Sequence, residues 1–395
     1  MTRRSDWAEV DLQHLRENYL KLQTYTKSEM MPVVKADAYG HGVIPAVRTL
    51  WACGARRFGV AFLEEALEIK AVFPEAVILI MGATDADEAE VLVREGIIPA
   101  IISLTQAQAI SRAAAGMGKK AKVHIKVDTG MNRIGFREEE LAAVLKVASL
   151  PNLELEGIFT HFAAADQKDL AFAREQLSRF EFFYDRLKKA GVHIPLRHAA
   201  NSAAILQLPE AHFELVRPGI SLYGFAPEPE EHFAHNPTRD DYVRVMNVAS
   251  LPETRGETGF VPVMSWKARV SHVKEIQAGE SVSYGRTFQA DGLTRVATVP
   301  VGYADGLRRG LSNQAEMLVR GTRVKVIGRI CMDQTMLDVT AVPEVQVGDV
   351  VTILGDDGAE RITAMEMARL LDTISYEVVC GISKRVPRIY ENLSD

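Results

Sequence analysis

The chain has 395 residues, of which 47% are hydrophobic, and a formal net charge of −6 at pH 7. The length fits two domains with ample apolar residues for buried cores. The acidic balance, without a basic stretch interleaved with aromatics, argues against nucleic acid as a partner, and no apolar run approaches the ~20 residues of a membrane helix. With no apolar signal segment at its start and three widely spaced cysteines, we expect a cytoplasmic protein with reduced thiols and no metal site.

Along the chain, residues 7–12 alternate like a strand and Leu12 to Leu22 has a helical pattern. A short apolar run, a turn and an amphipathic helix then repeat. The predicted strands are Pro32–Lys35, Arg57–Val60, Val77–Met81, Ile98–Ile102, Val123–Val127, Leu155–Thr160, Leu196–Ala199 and Leu215–Arg217. Helices are predicted from about Ile44 and at Glu64–Phe73, Asp87–Arg94, Gln106–Ala115, Glu138–Ala148 and Leu170–Lys189. Eight uniformly apolar strands alternating with helices predict an α/β fold, an N-terminal (β/α)8 TIM barrel.

The pattern changes near Pro227. Residues 228–241 are rich in proline and charge and predict a linker or exposed loop. From about Pro262, short β-rich runs with hairpin-like turns at 276–281 and 345–350, and one helix at Ala364–Leu371, predict a mainly β C-terminal domain. We place the barrel at residues 1–235 and the β domain at 236–395, with the first 11 residues or so able to pair with the β domain.

Polar residues collect at the carboxyl ends of the predicted strands, where TIM barrels carry their active sites. The first strand ends at Lys35 and is followed by Tyr39, and the later strands are followed by Asp128–Arg133, His161, Asn201–Ser202 and Arg217–Ser221. The second and third strands offer little beyond glycine. This asymmetry predicts one pocket between the first strand and strands five to eight.

The residue types in this pocket suggest a chemistry. A strand-end lysine can lose its proton through desolvation and attack carbonyls, although it can also simply cap the strand and reach solvent. The Ser202 hydroxyl and the N–H groups of Gly219 and Ile220 resemble an anion cradle, although an ordinary loop is the alternative. Together, the lysine and the cradle suggest pyridoxal phosphate. Taken alone, His161 is more typical of a structural histidine and Arg133 of an ion-pair partner.

Several stretches give the chain a resemblance to the alanine racemase family, in that family's order and over nearly the whole chain. They are Val33–Gly42 (VVKADAYGHG), Lys126–Gly135, Thr160–Ala163, Ala200–Ala203, Val216–Gly224, Val282–Thr287, Gly328–Gln334 and Ile374–Glu377 (ISYE). The resemblance implies a fold-type III pyridoxal-phosphate enzyme that interconverts L-alanine and D-alanine and supplies D-alanine for cell-wall peptidoglycan. It also implies a homodimer with shared active sites.

The resemblance further implies a role for each matching residue. Lys35 holds the cofactor and is one catalytic base, and Tyr284 of the partner subunit is the other. The remaining implied cofactor contacts are Ser202, Gly219, Ile220, Tyr39 and Tyr376 at the phosphate, Arg217 at the ring nitrogen, Arg133 at the phenolic oxygen, and His161 between Arg217 and Tyr284. Met332 of the partner subunit binds the substrate carboxylate with Asp333 beside it, Arg133 also lies at the substrate, and Lys126 is a candidate for carbamylation.

Two departures and three alternatives accompany this resemblance. The chain has a surplus of residues between about Glu228 and Phe260, and Asn132 stands where the family more usually has glycine. One alternative is a non-catalytic pyridoxal-phosphate carrier, but such barrels lack a second domain. Another is a decarboxylase or aldolase of the same cofactor class, although the racemase stretch accounts for both Cys331 and Asp333. A racemase of another small amino acid, such as serine, is not separated by the sequence.

Overall fold

The computed structural model describes residues 4–227 and 259–392. These residues form two compact units. Of the described residues, the barrel unit contains Leu15–Ala38, 43–227 and 259–261, and the β unit contains 4–14, Tyr39–Gly42 and 262–392. The predicted linker at 228–241, most of the surplus segment and the boundary at 235 lie outside the described residues, so the domain limits stay a prediction.

The barrel unit is a ring of eight parallel strands. They are Glu29–Met30, Arg57–Val60, Val77–Ile80, Ile98–Ile101, Ala121–Lys126, Leu153–Phe159, Leu196–His198 and Leu215–Val216. Strands two to seven pair in sequence order. The first strand pairs with the eighth. A hydrogen bond from Val34 N–H to Gly59 O, at 2.9 Å, connects the first strand to the second. Another, from Arg217 N–H to Ala200 O at 2.9 Å, connects the eighth strand to the seventh. The ring therefore closes and confirms the predicted TIM barrel.

One helix precedes each of these strands along the chain. They are Leu12–Tyr25, Val43–Ala52, Leu63–Val72, Ala89–Glu95, Leu104–Gly116, Leu141–Ala148, Ala171–Lys189 and Ser202–Gln207. Apolar side chains of strands and helices, among them Ile125, Ile158 and Phe180, form one buried core cluster. Two helices begin later than predicted because 3₁₀ turns at Ala86–Glu88 and Glu138–Glu140 precede them. Such tighter turns are frequent at helix ends.

The β unit contains a ten-stranded sheet, which confirms the mainly β domain. Its strands are Asp6–Asp11, Met264–Arg269, His272–Ile276, Thr294–Val299, Glu316–Val319, Thr322–Val326, Thr335–Asp338, Val350–Asp357, Glu360–Ile362 and Arg388–Glu391. The strand Asp6–Asp11 lies between Met264–Arg269, which is antiparallel to it, and Arg388–Glu391, which is parallel. Within the described chain, no helix is long and apolar enough to cross a membrane.

Two predictions about the β unit are wrong. The turns at 276–281 and 345–350 do not close hairpins, because the strands on either side of each turn pair elsewhere. For the first turn, His272–Ile276 pairs with Thr294–Val299, and Ser281–Val282 pairs with Phe288–Gln289. In addition, a second helix, Ser375–Cys380, follows the predicted one, which spans Ala364–Leu370. Six residues are too few to show a helical period in the sequence.

Candidate active site

Lys35 follows the first barrel strand and precedes a turn whose backbone is left-handed. The next four residues, Ala36 to Tyr39, have φ angles between 52° and 55°. We call Ala36–Tyr39 the left-handed turn. This conformation costs an L-residue roughly 1–2 kcal/mol, and none of the four is glycine. Backbone strain of this kind persists only where the surroundings hold it, and it concentrates at functional sites.

Ser202 and the loop after the eighth strand form a compact polar group. Ser202 Oγ accepts hydrogen bonds from the N–H groups of Gly219 at 2.9 Å and Ser221 at 3.4 Å. The Ser202 hydroxyl keeps its own proton to donate. Ile220 begins the 3₁₀ turn Ile220–Tyr223, so its N–H has no acceptor within that turn. The Ser202 hydroxyl and the Ile220 N–H are thus the donors best placed for an anion, whereas the Gly219 N–H already bonds Ser202.

Arg217 is buried, with 2% of its surface exposed. Its Nη1 donates to His198 Nδ1 at 2.8 Å. Its Nη2 donates to the carbonyl oxygens of Thr160 at 2.8 Å and Ala199 at 2.9 Å and lies 3.3 Å from His161 Nδ1. A guanidinium has five N–H donors, so at least one is left over by these acceptors among the described residues. Burial lowers the pKa of Arg217 to about 9, which leaves it protonated at neutral pH.

A buried chain of hydrogen bonds leads from Arg217 to Glu156. Because Arg217 donates to His198 Nδ1, a neutral His198 carries its proton on Nε2 and donates to His124 Nδ1 at 2.8 Å. His124 in turn donates from Nε2 to Glu156 Oε2 at 3.1 Å. Burial lowers the pKa of both histidines. Burial opposes ionisation of Glu156, but hydrogen bonds from His124 and Arg57 outweigh it and lower the pKa of this carboxyl. We call Arg217–His198–His124–Glu156 the buried relay.

His161 marks a strongly positive region of the barrel unit. Burial lowers the pKa of His161 well below its ordinary value, and the charges of Arg217, Lys126, Arg133 and Lys35 lower it further. His161 is therefore neutral at physiological pH. Four cationic side chains around one neutral imidazole favour the binding of an anion.

Lys126 is one of these cations and is itself buried, with 3% of its surface exposed. Its Nζ lies 3.4 Å from Val127 O and 5.0 Å from the centre of the Phe159 ring. Burial lowers the pKa of Lys126 well below its ordinary value, and the charge of Arg217 adds to this. The proton of Lys126 is therefore lost more readily than that of an exposed lysine.

Asp128 shapes the loop that carries Arg133. Its Oδ1 accepts from the N–H groups of Gly130 and Asn132, both at 3.0 Å, and its Oδ2 accepts from Arg133 N–H at 3.1 Å. The Arg133 side chain is exposed and has no hydrogen bond or ion pair with the residues that the structure describes. Asn132 has a φ of 53°, a region that asparagine adopts more readily than most other residues. Asparagine is therefore compatible with the backbone at this position.

The other predicted site residues lie in the β unit. The rings of Tyr39 and Tyr376 are 6.2 Å apart, and burial raises the pKa of Tyr39. Tyr284 is 71% exposed and Met332 is 53% exposed. Asp333 forms an ion pair with Arg385 at 2.7 Å, so its carboxylate already has a cationic partner.

Tyr284 and Met332 lie on neighbouring loops. Ser283 Oγ, beside Tyr284, donates to Arg329 O at 2.6 Å and lies 3.4 Å from Cys331 Sγ, beside Met332. The Met332 N–H has no backbone acceptor within the described part of the chain. An exposed tyrosine hydroxyl and an available N–H are therefore presented by the same region of the β unit.

Sequence reasoning missed four residues of this arrangement, namely His124, His198, Glu156 and Glu65. A signal existed for three of them, because each is a polar residue inside an apolar barrel strand, and buried polar groups need partners. Glu65 gave no such signal, since two acids at a helix start are ordinary. Its carboxylate nevertheless accepts a hydrogen bond from Ala36 N–H at 2.6 Å.

The barrel residues fit pyridoxal phosphate. Lys35 offers an amine for the cofactor's carbonyl carbon, and the positive region around His161 suits its anionic groups. Ser202 and Ile220 offer donors for a phosphate, and Arg217 has an N–H to spare for a ring nitrogen that accepts. Among the described residues, no group of three or more His, Cys, Asp or Glu could hold a metal ion.

Comparisons with known proteins agree with this fit. The model "Alanine racemase, N-terminal domain" matches residues 10–227, and "Alanine racemase, C-terminal domain" matches residues 263–390. An alanine racemase of Halothermothrix orenii is 42% identical over 98% of this chain and 97% of that protein. One of Carboxydothermus hydrogenoformans is 43% identical over 97% of this chain and 99% of that protein.

Solved structures agree as well. The alanine racemase of Bacillus anthracis with bound L-Ala-P is 34% identical, with a TM-score of 0.89, and covers 100% of this chain and 97% of its own. The alanine racemase of Bartonella henselae with covalently bound pyridoxal phosphate is 29% identical, with a TM-score of 0.84, and covers 98% of this chain and 100% of its own.

Proposed function

Because this chain belongs to the alanine racemase family and racemises alanine with pyridoxal phosphate, we propose that it does so with two bases, Lys35 and Tyr284 of the partner subunit. The observation that carries the proposal is the contact of Arg217 with His161, at 3.3 Å, with Lys35 among the charges that act on His161. We propose that the D-alanine formed serves cell-wall peptidoglycan, so that cells without the protein need D-alanine for growth.

Lys35 is the covalent attachment point of the cofactor and the base on one face of the substrate. When bound, pyridoxal phosphate withdraws electrons from the substrate α-carbon and so acidifies its hydrogen. Lys35 would hold the cofactor through its amine, and with that amine free its Nζ would take or return the α-hydrogen. Through the family likeness, this hydrogen is that of the D-enantiomer.

Tyr284 of the partner subunit serves the other face and takes the α-hydrogen of the L-enantiomer. Racemisation requires that the hydrogen leave one face and return on the other, so two bases on opposite faces suffice. A free tyrosine has a pKa near ~10, and its ionisation therefore needs help. We propose that the pair of His161 and Arg217, 3.3 Å apart, supplies it by hydrogen bonding to the tyrosine oxygen.

The remaining residues bind and orient. We propose that Ser202, Gly219 and Ile220, with Tyr39 and Tyr376, hold the phosphate, although Gly219 N–H must then be shared with Ser202 Oγ. Met332 N–H of the partner subunit binds the substrate carboxylate, with Asp333 beside it, and Arg133 binds the phenolic oxygen of the cofactor.

Lys126 is the candidate for carbamylation. Burial lowers the pKa of Lys126 and so makes the neutral amine, the form that reacts with carbon dioxide, easier to reach. A carbamate would reverse the charge and pair with Arg133. Crystals grown with dissolved bicarbonate should show density beyond Lys126 Nζ, and density that ends at the amine would contradict this assignment.

Attachment at Lys35 can be tested directly. Borohydride reduction followed by peptide mapping should find the cofactor on Lys35, and Lys35→Ala should abolish the covalent link and the yellow colour. Lys146→Ala, which removes an exposed lysine from the helix Leu141–Ala148, should retain both. Label on Lys126 or on any other lysine would overturn the site.

The division of labour between the bases predicts an isotope pattern. Tyr284→Phe should lose racemisation in both directions, because the equilibrium constant fixes the ratio of the forward and reverse rates. It should still exchange the α-hydrogen of D-alanine with D₂O without inversion, because Lys35 remains. Tyr25→Phe serves as a control and should racemise normally. Deuterium that appears in L-alanine, or racemisation of Tyr284→Phe at the wild-type rate, would rule out this assignment.

A further inference from the structure

The left-handed turn joins directly to Lys35, and its conformation is sterically disfavoured. Ala36, Asp37 and Ala38 have φ near +53° and ψ near +50°, a region that alanine and aspartate seldom occupy and never by preference over consecutive residues. Ala36 is exposed, so packing of its side chain does not hold the turn. Ala38 and Tyr39 are buried, so packing holds the end of the turn, whereas its start at Ala36 depends on hydrogen bonds to the backbone.

Three of the hydrogen bonds made by Ala36, Asp37 and Ala38 can be compared by where their partners lie. Ala38 N–H donates to Val34 O at 2.9 Å, and Val43 N–H donates to Asp37 Oδ1 at 2.7 Å. Both of these acceptors belong to residues 34–43 themselves. The third bond runs from Ala36 N–H to Glu65 Oε1 at 2.6 Å, and it is the one among the three that ties the turn to another part of the barrel unit.

Glu65 is itself fixed on its other oxygen. Its Oε2 accepts from Ala61 N–H at 2.8 Å and Phe62 N–H at 3.2 Å, at the start of the helix Leu63–Val72. One carboxylate thus bridges the loops that follow the first and second barrel strands. A carboxylate has two oxygens for this purpose, whereas a glutamine has one, so glutamine cannot replace both sets of bonds.

We propose that Glu65 is a positioning residue for Lys35, acting through the left-handed turn. Val34 N–H bonds Gly59 O at 2.9 Å and fixes the chain on the strand side of Lys35, and Glu65 fixes it on the turn side at Ala36. Lys35 is thereby held through both of its neighbours, which would keep its amine in place whether or not it carries the cofactor. The inference rests on the proposed attachment of the cofactor at Lys35.

The test compares Glu65→Ala and Glu65→Gln with Glu64→Ala, which removes an exposed acid from the same first helical turn. In the apoenzyme, hydrogen exchange at the Ala36 amide should accelerate at least tenfold in Glu65→Ala, less in Glu65→Gln, and not at all in Glu64→Ala. Three quantities are measured in the holoenzyme: the yield of borohydride-trapped Lys35, the pH at which the absorption of the bound cofactor titrates, and kcat. Each should differ from wild type most in Glu65→Ala, less in Glu65→Gln and not at all in Glu64→Ala.

Ala36→Gly in the Glu65→Ala background separates strain from general damage, because glycine adopts a φ of +52° without steric cost. This double variant should recover part of the lost trapping and kcat. If Ala36 exchange accelerates while trapping, titration and kcat of Glu65→Ala match Glu64→Ala, the turn does not position Lys35 and the inference fails. If the wild type is labelled on a residue other than Lys35, the proposed function fails first, and the two failures are thus distinct.

Discussion

At the scale of single residues, Arg217 lies between two histidines that cannot readily take its proton. Burial lowers the pKa of both His198 and His161, and the charge of Arg217 lowers each further. Arg217 therefore stays a donor at every contact. An arginine that keeps its proton leaves a facing ring nitrogen unprotonated. In the proposed arrangement, with Arg217 facing that nitrogen, the cofactor would withdraw electrons less strongly, which would limit side reactions such as transamination.

Glu156, at the far end of the buried relay, should matter for stability in a pH-dependent way. Because its pKa is lowered in the folded protein, its charge stabilises the fold above the unfolded value of about 4.3, and this contribution is lost as the pH falls toward the folded value. Glu156→Gln should therefore cost roughly 3 kcal/mol at pH 7 and less in acid. It should also lower kcat by loosening the relay that orients Arg217.

The matched control for Glu156→Gln lies two residues earlier on the same strand. Glu154 is exposed, and Glu154→Gln should change the free energy of unfolding by less than about 0.5 kcal/mol. Urea unfolding at several pH values compares the two variants. Equal stability of both at pH 7 would show that the relay does not depend on the Glu156 charge.

Most residues with reactive side chains could be named from the sequence, because they follow strand ends and match a family. The residues that orient them could not. His124 and His198 act through a contact between strands that are distant in the sequence, and Glu65 acts through a backbone N–H that follows Lys35. Such partners depend on three-dimensional proximity, which the order of residues does not reveal. Asn132 is an intermediate case, since its substitution was visible but its positive φ was not.

At the scale of secondary-structure elements, the strand Leu153–Phe159 makes room for the relay at Gly157. A Cβ at this position would lie 2.5 Å from two atoms of the His124 ring. Gly157→Ala should therefore displace His124, destabilise the protein by roughly 1–3 kcal/mol and lower kcat. Gly116→Ala, at the end of the helix Leu104–Gly116 with nothing within 4 Å of an added Cβ, should be neutral or mildly stabilising. Unfolding curves that coincide for the two variants would contradict the tight fit at Gly157.

The barrel strands were predictable because strands covered on both faces are apolar throughout. The prediction of the first strand, Pro32–Lys35, was the least accurate. The regular strand is Glu29–Met30, and Val33 adds only an isolated bridge to Gly59. In the β unit, the short strands were visible but their partners were not. A turn predicts a change of direction, whereas pairing depends on which strands bury their apolar faces together.

At the scale of the whole molecule, the proposed division of the site between subunits predicts that inactive variants complement each other. Subunits with Lys35→Ala lack one base, and subunits with Tyr284→Phe lack the other. Mixed after dissociation and reassociation, they should form hybrid dimers with one intact site and recover up to about a quarter of wild-type turnover under random pairing. If wild-type controls recover and the mixture stays inactive, each site is built from one chain.

The position of Asp6–Asp11 in the sheet of the β unit has a consequence for synthesis. One neighbour of this strand, Arg388–Glu391, is about 380 residues later in the chain, and a ribosome working at 5–20 residues per second needs roughly 20–80 s to reach it. The strand on the other side, Met264–Arg269, also emerges long after the first strand. During this interval the nascent strand has two unpaired edges, which invite pairing with other chains. The sheet is therefore completed only after Arg388–Glu391 has been synthesised, and a chaperone bound to the first strand until then would prevent its pairing with other chains.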